Sequence, residues 1–99
     1  MVERPTRFEI SKPVEYTVRS QGGAVEGAGR TVNISRRGVL FESKHPIALG
    51  RRVELIVDMG DDMGAPTNLH IQGIAVRNQD GTVAVAIKKY KLRAPGSPA

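Results

Sequence analysis

Apolar residues in this chain recur with a period of two in segment after segment, and that constrains the fold more than any other feature. Side chains of an extended chain alternate between two faces, so such a pattern buries one face and leaves the other in water. Val14, Tyr16 and Val18 fall in phase within residues 13–19. Val53, Leu55 and Val57 do so within 49–57, Leu69, Ile71, Gly73 and Ala75 within 68–78, and Val83, Val85 and Ile87 within 82–87. Further strands are expected at 25–34 and 39–42. No stretch shows a helical period of useful length except a single turn allowed over 88–93, which Pro95 would stop.

Turns and breaks rich in glycine or proline separate these segments: Ser20-Gln21-Gly22-Gly23, Arg36-Arg37-Gly38, a break at Ser43-Lys44-His45-Pro46, a loop over 59–66, and a hairpin turn ending in Asp80-Gly81. Gly27 and Gly29 make the first half of the second strand tolerant of a bulge or a close backbone approach. Six short strands in 99 residues make one all-β domain, and a closed antiparallel barrel is the architecture that removes exposed sheet edges. The expected layout is a flexible basic arm over 1–12, a six-stranded barrel over 13–92 and a disordered tail over 93–99.

Charge and composition then narrow the chemistry. Fifteen Lys and Arg against ten Asp and Glu give a net charge of +5, which favours an anionic partner. Without cysteine, disulfides, thiol redox chemistry and thiolate metal sites are excluded. His45 and His70 have no carboxylate or nucleophile in a catalytic pattern, and Asp58, Asp61 and Asp62 lack the ligand ladder of a calcium loop, so neither an enzyme nor a metal site is expected. Aromatic residues make up 4% of the chain, too few for the stacking platforms of single-strand nucleic-acid binders. No window is long and apolar enough for a membrane helix and residues 1–8 lack the apolar middle of a secretory signal, so the expected location is the cytoplasm.

The most informative stretch is 31–41, Thr-Val-Asn-Ile-Ser-Arg-Arg-Gly-Val-Leu-Phe. Strict alternation places Val32 and Ile34 on one face, and Asn33 and Ser35 on the other. Arg36-Arg37-Gly38 then makes a turn in which glycine is free to take a positive φ, and Val39-Leu40-Phe41 enters the core. The outcome is a small notch of amide and hydroxyl groups rimmed by guanidinium, suited to phosphate or a guanine edge. A plainer reading stands beside it: Asn and Ser often close turns by bonding nearby backbone. Asn33-Ile34-Ser35 also matches a glycosylation sequon, a chance match in a chain without a signal peptide.

Together these pieces resemble a PilZ domain, the bacterial receptor module for cyclic di-GMP. That family carries an arginine-bearing arm and then, after a strand and its return, Asp or Asn, any residue, Ser, two residues and Gly. Asn33-Ile34-Ser35-Arg36-Arg37-Gly38 fits every fixed position of the second half, and Gly50 and Gly73 sit where such domains tend to have glycine. In the arm, the family's two arginines are separated by three residues, whereas only Pro5 and Thr6 separate Arg4 and Arg7 here. The family's C-terminal helix is expected to be short or absent.

The resemblance implies a PilZ-like split barrel and a non-catalytic receptor. Arg4 and Arg7 would stack on guanine and pair with phosphate, Asn33 and Ser35 would bond a guanine edge, Gly38 would let the backbone pass close to the ligand, and Arg36 or Arg37 would reach a phosphate. The arm would fold over cyclic di-GMP and present an ordered surface to a protein effector, with no cofactor and no metal. Two rivals are weighed against it. One is a ligand-independent adaptor of the same fold, which the shortened arginine spacing favours; the other, less favoured, is a small basic barrel that binds RNA or DNA.

Overall fold

The computed structural model describes residues 11–61 and 64–95. Six strands follow one another along the chain: β1 (Pro13–Ser20), β2 (Gly23–Ile34), β3 (Gly38–Glu42), β4 (Arg52–Asp58), β5 (Asn68–Gln79) and β6 (Thr82–Arg93). They close into an antiparallel barrel in the order β1-β2-β3-β6-β5-β4. β1 seals the ring by pairing with β2 on one side, Val14 opposite Gly29, and β4 on the other, Val14 opposite Val57. There is no helix among the described residues.

The in-phase residues of the sequence form the interior. Val14, Tyr16 and Val18 of β1, Val53, Leu55 and Val57 of β4, Ile71 and Ala75 of β5, and Val83 and Val85 of β6 are all buried, with Val39 and Phe41 of β3 between them. Tyr16 and Phe41 pack with ring centroids 5.5 Å apart. Gly27 lies opposite Tyr16 in the β1–β2 register, and a Cβ there would run into the tyrosine ring. At Gly29 a Cβ would strike the backbone oxygen of Glu42, and at Gly73 that of Ala86. The glycines of β2 therefore serve close approach, as their placement in the sequence suggests. Asp80 and Gly81 both take positive φ, 52° and 80°, as a two-residue hairpin turn of this twist requires.

Three local expectations are corrected. Register in the β2–β3 pair slips between Thr31 and Asn33, with Thr31 opposite Phe41 and Asn33 opposite Leu40. Val32 is the extra residue of a bulge and stays exposed, while Thr31 and Ile34, opposite Phe41 and Val39, face inward. The helical turn considered over 88–93 does not form, because pairing with β5 from Asn68 to Gln72 keeps β6 extended to Arg93. β4 begins at Arg52, so Leu49 belongs to the preceding loop and is exposed. That loop is fastened by backbone bonds between Gly50 and Ala75 and between Ala75 and Arg51.

Candidate functional site

The β2–β3 turn closes one end of the barrel, and its geometry follows from Ser35 and Gly38. Ser35 N–H donates to the Gly38 carbonyl at 2.8 Å. Its Oγ accepts from the N–H groups of Arg37 (3.3 Å) and Gly38 (3.2 Å) and donates to the Gly38 carbonyl (3.3 Å). A serine hydroxyl has one proton and two lone pairs, so these contacts use all three. Ser35 is thus a turn-closing residue, in agreement with the plainer of the two sequence readings.

Gly38 does not hold the positive φ expected of it. It opens β3 opposite Ala86 of β6, and a Cβ there would sit 3.2 Å from the Val85 carbonyl. Glycine is favoured at this position by the approach of β6 and not by the turn. The Arg37 carbonyl accepts the Ile87 N–H at 2.8 Å, which ties the turn to β6. Arg36 and Arg37 extend from the turn as exposed side chains.

Asn33 is half-buried, on the strand face opposite that of Ile34, and its amide makes no hydrogen bond among the described residues. It keeps two donors and an acceptor for another partner. One residue past the bulge lies Thr31, buried among apolar neighbours, whose Oγ1 accepts the Lys12 N–H at 2.9 Å while its own N–H donates to the Lys12 carbonyl at 2.9 Å. Arg30 holds Ser11 by two bonds, Nε to Oγ (2.9 Å) and Nη2 to the carbonyl (3.0 Å). Residues 11 and 12 are therefore fixed beside Arg30 and Thr31. The sequence reading did not single out Thr31; a hydroxyl two residues before Asn33, on a strand about to bulge, was the only sign of it.

Of the candidate residues, the structure brings Ser35, Arg36 and Arg37 into one turn, with Asn33 at the end of β2 and Gly38 at the start of β3 flanking it, while Arg4 and Arg7 lie outside the described residues, as does most of the arm expected over 1–12. So do Asp62 and residues 96–99 of the expected tail. Asp58 bonds the Gly60 N–H at 2.9 Å and so closes its own loop. His45 meets Tyr16, with 2.6 Å between the Tyr16 hydroxyl and Nδ1, and its carbonyl accepts from Ser43 Oγ at 2.7 Å. No helix among the described residues is long and apolar enough to cross a membrane.

Comparison with known proteins gives two positive findings. The sequence model of the PilZ domain family matches residues 3–93. The fold is similar to that of the PilZ domain of CeSA from a cellulose-synthesizing bacterium, with a TM-score of 0.67 at 17% identity, over 85% of this chain and 81% of that one. No curated protein matches the chain.

Proposed function

The chain belongs to the PilZ domain family, a family of cyclic di-GMP receptors whose domains are generally non-catalytic binding modules; from that premise we propose that it binds cyclic di-GMP at the β2–β3 turn and signals to a protein effector in a bacterial cytoplasm. The observation that supports this most is Asn33: a half-buried amide without a partner among the described residues, beside a turn that carries two exposed guanidinium groups. Asn33 bonds a guanine edge, and Arg36 or Arg37 pairs with phosphate. Residues 11 and 12 are held to β2 at Arg30 and Thr31, on the strand that carries Asn33, and by the family pattern Arg4 and Arg7 would complete the site. Ordering the arm costs about 1 to 2 kcal/mol per residue fixed, so a ligand that bridges arm and barrel is what drives it.

Ser35 has a supporting part in this reading. Its hydroxyl is engaged within the turn, so a guanine edge that bonds it displaces a turn contact. This favours, as a second reading, the ligand-independent adaptor, in which the Asn-x-Ser-x-x-Gly pattern serves the turn alone and the short Arg4–Arg7 spacing does not grip a nucleotide.

Calorimetric titration with cyclic di-GMP at moderate salt, with GMP and a short RNA as controls, separates these readings. Saturable heat with cyclic di-GMP alone, abolished in Arg7→Ala and Asn33→Ala, supports the receptor. No heat with any of the three ligands overturns it in favour of the adaptor, and heat with RNA that falls steeply with salt favours the basic nucleic-acid barrel.

A further inference from the structure

β6 carries a backbone edge left unpaired among the described residues. β3 covers it only from Thr82 to Ala86, and Ile87 is the last residue held from that side, by the Arg37 carbonyl. Residues 89–92 pair with β5 alone among the described residues, and Lys88 lies in a bulge between them and Ile87. Alternate residues of an antiparallel strand direct their N–H and C=O away from the partner, so this run offers donors and acceptors already set out in strand geometry.

The side chains along the run are sorted by face. Gln72 pairs with Lys89 and Gly73 with Ile87, so Lys88 is an extra residue and the phase of β6 reverses across it. Beyond it Tyr90 lies opposite Ile71, and Leu92 opposite Leu69, on the face that continues into the core. They are nevertheless 64% and 52% exposed, because nothing among the described residues covers them. Lys89 and Lys91, opposite Gln72 and His70, take the outer face. A strand laid along this edge would meet an apolar pair on one side and two ammonium groups on the other.

We propose that residues 88–92 are a docking edge for an extended segment of a partner protein in which acidic and apolar residues alternate. Its carboxylates would flank Lys89 and Lys91, its apolar side chains would cover Tyr90 and Leu92, and its backbone would complete the open ladder. Charge argues against a second copy of this chain, since edge-to-edge pairing would set Lys89 and Lys91 against the same lysines of the other copy. Nucleic acid has no backbone pattern to match a strand edge and would find one aromatic ring, Tyr90. The surface lies outside the nucleotide site proposed above, so its test can fail while the receptor reading stands.

The test uses the full chain and a fluorescent, end-blocked octapeptide of alternating glutamate and valine, followed by anisotropy at moderate salt. Controls are its block-order isomer, an alternating lysine–valine octapeptide and an oligouridine. The alternating acidic peptide binds saturably, and its isomer binds about tenfold more weakly. In the double variant Lys89→Glu, Lys91→Glu, whose circular dichroism should match the parent because both side chains are exposed, the acidic peptide loses about tenfold in affinity and the lysine–valine peptide gains. Hydrogen exchange slows within 88–92 when the acidic peptide is bound. Equal binding of the isomer, protection elsewhere, or tighter binding of oligouridine overturns the proposal. So does slow exchange of these amides in the free chain, which would mean that residues 1–10 or a second copy already hold the edge.

Discussion

β6 passes through two environments in one unbroken run. From Thr82 to Ala86 it lies between β3 and β5, paired on both sides, and Val83 and Val85 point into a closed interior. From Lys89 to Leu92 its ladder partner among the described residues is β5 alone, and residues 88–93 are Lys-Lys-Tyr-Lys-Leu-Arg. The chain is extended in both halves, with the bulge at Lys88 between them. Side-chain burial differs because one half is built into the closed ring and the other is not, and sequence follows burial: small and β-branched residues where both edges are paired, cations where an edge meets water.

The contrast can be broken by substitution, and the largest effect falls where the doubly paired half meets β5. Gly73→Ala directs a methyl into the Ala86 carbonyl and Val85, so it should destabilise by about 3 kcal/mol, read as a lower urea midpoint with unchanged slope. Val85→Ala comes next at about 2 kcal/mol, since the buried methyl groups leave a cavity. Ser35→Ala, which strips the turn of its hydroxyl contacts, should cost about 1 kcal/mol in the same measurement. Leu92→Ala should change the midpoint by less than about 0.5 kcal/mol, because the side chain is half in water already. A cost for Leu92→Ala close to that of Val85→Ala would show that the open half of β6 is covered in solution and would end the comparison.

How much of this was legible in the sequence depends on how locally each feature is determined. Strict alternation placed Val14, Tyr16, Val18, Val53, Leu55, Val57, Val83 and Val85 correctly, since a strand inside a barrel has one wet face and one dry. The Asp80-Gly81 dipeptide placed its turn because so few residues accept two positive φ values in succession. The bulge at Val32 escaped, because a register slip is decided by the partner strand and not by the residue that is squeezed out. The extension of β6 escaped for a related reason: an edge strand with its own bulge shows no clean period. Gly38 was assigned to the right turn for the wrong cause, as the approach of Val85 from a distant part of the chain cannot be read from neighbours in sequence. At the candidate site, the motif located the turn and its guanidinium rim, while the engagement of the Ser35 hydroxyl is visible only in the geometry of residues 35–38.

The strand order carries a consequence for how the barrel comes into being. β6 sits between β3 and β5, and it is the last of the six strands along the chain. During synthesis the first five can form only an open sheet, β3-β2-β1-β4-β5, whose two free margins both wait for the same missing piece. β6 returns on β5 through a local hairpin, but the β3–β6 contacts that close the ring arrive last and join distant residues, Gly38 with Ala86 and Glu42 with Thr82, which predicts slow closure dominated by long-range pairing. A ribosome stalled before Thr82 would hold a sheet with two sticky margins, and the nascent chain reaches safety only when its final strand emerges.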